Sequence, residues 1–184
     1  MALDTRAAAL TAWQIDPKHT TVGFSVKHMM FATVKGRFAG VSGTIVLDEA
    51  NPARSSVEVE VDAASVDTRE EQRDGHLRSP DFFHAEQHPT ITFRSTRVEP
   101  TSANAAEVHG DLTIRGVTRP VVLDATLLGR GKNPWGQEVA GFEVRGKVNR
   151  KEFGLNWNAA LEAGGFLVGD EVNLEIDVEA VRQQ

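Results

Sequence analysis

Thr21-Val22-Gly23-Phe24-Ser25-Val26-Lys27 places its large apolar side chains at every second position, and Val57-Glu58-Val59-Glu60-Val61-Asp62 repeats the arrangement with charges between the valines. A period of two belongs to a strand with one face in a core and the other in water, whereas a helix needs apolar residues three or four apart. The same reading extends along the chain. After a break at Met29-Met30-Phe31, Val34 and Phe38 lead through Gly40 into Ile45 and Leu47. Later runs are Ile91/Phe93, Val108/Leu112/Ile114, Val121/Leu123/Ala125/Leu127, Phe142/Val144/Val148 and Val172/Leu174/Ile176/Val178. Turn-forming residues separate them at Asn51-Pro52, Glu99-Pro100, Gly116, Gly129 through Gly136, and Gly164-Gly165.

The runs amount to about eight strands at mostly short spacing, an all-β pattern of sandwich or up-and-down antiparallel barrel. Parallel pairing would require a crossover helix in every gap, and most gaps are too short. Only Thr68 to His88 reads as partly helical, because Arg69-Glu70-Glu71-Gln72-Arg73-Asp74 favours helix until Gly75 weakens it and Pro80 starts a new turn. Asn149 to Gly165 is a second long connection. Alternation is the same in a sandwich and a barrel, but only a closed barrel of this size holds a small ligand inside.

At 184 residues, 40% hydrophobic and 25% charged, the chain is expected to form one domain with a real core. Residues 1–11 are expected to be a flexible leader ahead of a domain over 12–184. The absence of cysteine removes disulfides, thiolate metal sites and cysteine nucleophiles. Tyrosine is also absent while there are nine Phe and three Trp, so aromatic surface comes almost without hydroxyls. The net charge is −6 with no basic run, which argues against nucleic acid as a partner. Neither a secretory signal nor an apolar window of membrane-spanning length is legible, so a cytoplasmic location is expected.

Chemical motifs are sparse. His84-Ala85-Glu86 lacks the cysteines of a zinc deaminase, and His84 with His88 lacks the glutamate spacing of a metalloprotease, so no metal is expected. There is no Gly-x-Ser-x-Gly elbow. Glu58, Glu60 and Asp62 read as a solvated strand face, and Gly129-Arg130-Gly131-Lys132-Asn133 as a hairpin loop. Leu77, Phe82 and Phe83 around Pro80 read as a hydrophobic lid or, more simply, as packing of a short helix onto the barrel. Met29, Met30 and Phe31 form an adaptable apolar loop, either a ligand portal or a plug at the barrel end.

Ordered motifs add a resemblance. They are Trp13-Gln14-Ile15-Asp16-Pro17-Lys18-His19-Thr20, Phe24-Ser25-Val26-Lys27-His28 and Val34-Lys35-Gly36-Arg37-Phe38. They continue with Arg73-Asp74-Gly75-His76-Leu77-Arg78-Ser79-Pro80-Asp81-Phe82-Phe83 and Pro89-Thr90-Ile91-Thr92-Phe93. Gly110 to Val121 and Asn149 to Trp157 complete the set. With these, the chain resembles the YceI-like family of polyisoprenoid-binding proteins. The resemblance implies a closed, lipocalin-like antiparallel barrel around an apolar cavity for a long isoprenoid or similar lipid, with no catalytic residue and no cofactor. Many members of that family carry a signal peptide and work in the periplasm.

On that reading the cavity wall is expected from Phe24, Phe38, Ile91, Phe93, Leu112, Ile114, Leu123, Phe142, Val144, Trp157, Leu174 and Ile176. The expected portal is Met29, Met30 and Phe31, with His28 and Arg78 as head-group candidates, Arg78 because a guanidinium forks onto phosphate or carbonyl oxygens. The ligand would be an isoprenoid quinone, a prenyl phosphate or a fatty lipid, bound for carriage, storage or sensing. Two alternatives stand beside it: a small-molecule enzyme with His28 or His76 as proton carrier, and a non-catalytic interaction module, with a homodimer through an outer strand face.

Overall fold

A computed structural model of the chain describes residues 10–184. The alternating segments become eleven strands: β1 (Thr11–Ile15), β2 (Thr21–His28), β3 (Ala32–Phe38), β4 (Val41–Leu47), β5 (Ser56–Asp62), β6 (Val66–Asp67), β7 (Thr90–Pro100), β8 (Ala105–Ile114), β9 (Val117–Lys132), β10 (Glu138–Asn149) and β11 (Val168–Arg182). The first six work in pairs as broken long strands. β1 and β2 are interrupted at Asp16-Pro17, β3 and β4 at Ala39-Gly40, and β5 and β6 by a helical turn at Ala63–Ser65. Counted this way the fold has eight staves, each antiparallel to the next in chain order. The last closes on the first: β11 pairs with β2 through Leu174 and Phe24, and with β1 through Ala180 and Ile15. The fold is thus a closed up-and-down barrel, which leaves no long open edge.

The helix falls where Thr68 to His88 was expected to hold one, as α1 (Glu71–Arg78). It starts where the Glu70 carboxylate accepts from the backbone N–H of Gln72 and Arg73, satisfying two donors that a first turn leaves open. Phe82 is buried and Phe83 half-buried beneath the following turns, packed against Val148, Phe153 and Leu155 on one side and Phe38 on the other. That is the packing role expected for them.

Two boundaries differ from the sequence reading. Thr11 pairs with Leu47, so the barrel begins inside the expected leader, whose first nine residues lie outside those described. Gly129 to Lys132 are strand rather than loop, because β9 keeps pairing with β10 as far as Lys132 and Glu138, and the turn is made by Asn133 to Gly136.

Two glycines make room for aromatic rings of the wall. A Cβ on Gly36 would lie 2.4 Å from Cζ of Phe24, and one on Gly110 would lie 2.4 Å from Cζ of Phe93. Each ring lies flat over the neighbouring strand in the space a side chain would have taken. Glu58, Glu60 and Asp62 are exposed on the outer face, as their alternation requires.

At the seam where β11 passes from β2 to β1, Asp16 N donates to Glu179 O at 2.8 Å and His19 Nδ1 lies 2.7 Å from Asp16 Oδ2. The His19 hydrogen bond holds the Asp16 carboxyl below its ordinary 3.8, and the Asp16 bond, with Glu179 nearby, holds the His19 imidazole above its ordinary 6.5. The histidine share of the stabilisation is therefore complete below 6.5 and is lost as pH rises through the raised value. The aspartate share is complete above 3.8 and is lost as pH falls through the lowered value. Thermal melts of His19→Ala against the parent should differ most between these limits and converge in alkali. A difference that grows above neutrality would contradict the assignment.

Candidate functional site

The inward faces of all the staves meet in one cavity of about 750 Å³, within the usual range for small-molecule sites. All twelve residues expected for the wall line it, and so do their alternation partners Val22, Val26, Val57, Val59, Val121 and Val172. The sequence list missed the residues that close the ends. Ile15, Leu77, Phe153 and Leu155 enter from connections or from a strand too short to show a period.

The end away from α1 is sealed by Trp13, 1% exposed, packed against Ala140 and Ala180 with Leu47, Leu127 and Phe142 around them. A bulge makes this seal. Leu127 pairs with Phe142 but Gly129 with Gly141, so Leu128 is an extra residue turned to solvent, and Arg130 rather than a glycine stands opposite buried Ala140. The Arg130 guanidinium lies 5.6 Å from the centroid of the Trp13 ring and forms an ion pair with Glu49. Simple alternation through Gly129 and Gly131 conceals this inward arginine.

The other end is covered by α1 and by the connection from β10 to β11. The helix turns Arg73, His76 and Leu77 to the cavity. Arg78 follows Arg73 by five residues, about 140° round the helix, and lies outside the cavity. Its Nε donates to Ala64 O at 3.0 Å and an Nη lies 3.7 Å from Glu71. Arg78 thus does not line the cavity, whereas Arg73 does. His76 Nε2 is hydrogen-bonded to Asp81 Oδ2 at 2.8 Å, and its ring stands edge-on to Trp157, centroids 4.6 Å apart. This is the orienting partner that no local motif revealed.

His28 also lines the cavity, but Met29, Met30 and Phe31 stand outside it at the tip of the β2–β3 hairpin, with Phe31 88% exposed. They do not plug the barrel. Both methionines have positive φ, 52° and 67°, in a turn conformation ordinarily taken by Asn and Gly. Met30 reaches Gly165 of the neighbouring loop, where a Cβ would meet its sulfur at 2.2 Å, and Phe166 beside it is 61% exposed. Together these residues form an exposed apolar patch beside His28 and Leu167 of the cavity lining.

Arg150 fastens the connection from β10 to β11. It is 5% exposed, and its N–H groups donate to Gly169 O at 2.8 Å, Leu155 O at 2.6 Å, Trp157 O at 2.9 Å and Val168 O at 3.3 Å. Burial pushes its guanidinium below the ordinary value, and Asp170 at 3.8 Å opposes that. Elsewhere among the described residues, two groups have ligand atoms close enough to share a metal: Asp16/His19/Glu179 and Glu99/Glu107/His109. In the second, Arg97 already sits 3.1 Å from Glu99. No helix among the described residues is long and apolar enough to cross a membrane.

Comparison with known proteins agrees with this architecture. The family model for the YceI-like domain matches residues 13–180. Protein YceI of Escherichia coli O157:H7 is 38% identical over 180 residues, covering 97% of this chain and 91% of that one. The crystal structure of BcnA from Burkholderia cenocepacia superimposes with a TM-score of 0.79 at 24% identity, covering 90% of this chain and 98% of that one. A polyisoprenoid binding domain from Saccharophagus degradans, implicated in plant cell wall breakdown, shares the fold with a TM-score of 0.65 at 14% identity, covering 93% of this chain and 98% of that one.

Proposed function

The chain belongs to the YceI-like domain family, and from that premise we propose that it binds one long-chain lipid inside its barrel, an isoprenoid quinone, a prenyl phosphate or a fatty lipid. The observation that carries this reading is the cavity itself: about 750 Å³ running between the two ends, walled by Phe, Leu, Ile and Val, with charged side chains confined to the ends. At about 30 Å³ per water-sized group, such a space takes roughly 25 non-hydrogen atoms. About twenty buried methylenes offer ~16 kcal/mol before the costs of ordering the ligand. The tail would thus supply affinity but little choice among lipids, since one carbon more or less changes little. The similar fold of a polyisoprenoid binding domain supports the tail class.

The Met29-Met30 turn and Phe166 serve as the rim through which the lipid enters. Two adjacent non-glycine residues in the left-handed region carry a backbone cost. Retaining methionines there fits a need for their flexible side chains at the mouth. The protein's part is binding rather than catalysis, as carrier, store or sensor.

The test is organic extraction of the purified protein followed by mass spectrometry, then reloading of the stripped protein with defined isoprenoid and fatty lipids. One lipid per chain, with affinity rising with tail length up to about twenty carbons, is the expected result. An empty protein that takes up none of them would refute the reading.

A further inference from the structure

We propose that Arg73 is the head-group anchor of the cavity and that the preferred ligand carries an anionic oxygen head at the α1 end, with its tail directed toward Trp13. This rests on the lipid-binding reading and adds to it the class and orientation of the ligand.

The argument begins with the distribution of charge. The acidic residues lining the cavity are Asp48 and Glu49, both at the Trp13 end, where Arg54 lies 3.6 Å from Asp48 and Arg130 pairs with Glu49. At the α1 end the charged and titratable lining residues are all basic: Lys27, His28, Arg73, His76 and Arg150. Arg150 is spent on backbone carbonyls and Asp170, and His76 on Asp81. Arg73, like Lys27 and His28, has no carboxylate partner among the described residues. Lys27 Nζ donates to Thr33 Oγ1 at 3.0 Å, and Arg73 is half-buried and is the one of the three whose cationic group is held by two hydrogen bonds.

Its geometry is nevertheless held. Nε donates to Thr68 Oγ1 at 2.7 Å and Nη2 to Thr68 O at 2.8 Å, so one edge of the guanidinium is fixed. Thr68 is fixed in turn by buried Asp74, whose Oδ1 accepts from Thr68 Oγ1 at 2.6 Å and from Thr68 N at 2.8 Å. Among the described residues the Nη1 donors have no hydrogen-bond partner. A guanidinium held in one orientation, with donors to spare at the edge of an apolar cavity, suits a phosphate or carboxylate, to which it donates charge-assisted hydrogen bonds.

The experiment uses stripped full-length protein and tail-matched ligands: an isoprenoid alcohol, its monophosphate, a fatty acid and its methyl ester, with inorganic phosphate as competitor. The parent should prefer the monophosphate over the alcohol, and the acid over the ester, by about tenfold to a hundredfold. Arg73→Gln should erase both preferences while leaving the affinity for alcohol and ester unchanged. Arg73→Lys should restore part of them, Thr68→Val should weaken them, and Arg78→Gln should leave them intact. Inorganic phosphate should not displace the loaded lipid. Equal affinity for charged and neutral heads in the parent overturns the proposal, as does a preference that survives Arg73→Gln in a protein melting like the parent. Displacement by inorganic phosphate would reassign the anchor to the free anion. Failure of the alcohol and ester to bind as well would instead bring down the lipid reading, and the proposal with it.

Discussion

Replacing Arg150 by methionine is expected to destabilise the protein by about 3 to 5 kcal/mol, since several buried carbonyls lose their donor at about 1 kcal/mol or more each. The side chain is 5% exposed, and the carbonyls of Leu155, Trp157, Val168 and Gly169 all converge on it. Methionine fills a similar volume but offers no donor, so the carbonyls of Leu155, Trp157 and Gly169 lose this donor in a place that water reaches poorly, while Val168 O keeps the Asn158 amide at 2.8 Å. Arg150→Lys should recover little, because one compact ammonium cannot reproduce the fork that serves carbonyls on both sides of the connection. Urea unfolding of the two variants and the parent checks this. Hydrogen exchange should show the first losses of protection in 150–168. A cost below about 1 kcal/mol would mean that the arginine is a bystander.

The second large effect concerns ligand uptake. Phe142→Asp should reduce lipid affinity more than about a hundredfold, because a carboxylate facing a hydrocarbon tail must be desolvated when the tail enters. Phe142 lies on the cavity wall, between the Trp13 seal and the centre of β10. In the empty barrel the aspartate can be hydrated, so folding should suffer far less than binding. Phe142→Leu serves as the control for lost volume and should cost uptake only severalfold. The outcome that would sink the idea is a Phe142→Asp protein, folded as judged by its melting transition, that still loads lipid like the parent.

These two residues mark the difference between what is legible along a chain and what is not. Phe142 was legible because a strand repeats every two residues, so one inward residue places its neighbours at 144 and 148 on the same face. By the same rule the whole wall, from Phe24 to Ile176, was read from alternation and recognised motifs. Arg150 carries no such signal, since its value comes from carbonyls five to nineteen positions away brought together by a loop. Helix periodicity was too short a lever to choose between Arg73 and Arg78. The eight residues of α1 include no strong apolar stripe, and its orientation is set by the packing of Leu77, Phe82 and Phe83 onto the barrel.

By itself the sequence determined the strand alternation, the hydrocarbon character of the interior, the position of α1 and the family, because each rests on neighbouring residues or ordered motifs. The tertiary structure decided the rest. That the sheet closes as a barrel rather than a sandwich depends on β11 meeting β1 and β2 across the length of the chain. That Arg130 points inward depends on one extra residue at Leu128, and that Arg73 faces the cavity while Arg78 does not depends on how a helix is seated. Alternation is a local property of the backbone, whereas closure, register and helix orientation are set by long-range packing, and those decide which charges a ligand meets.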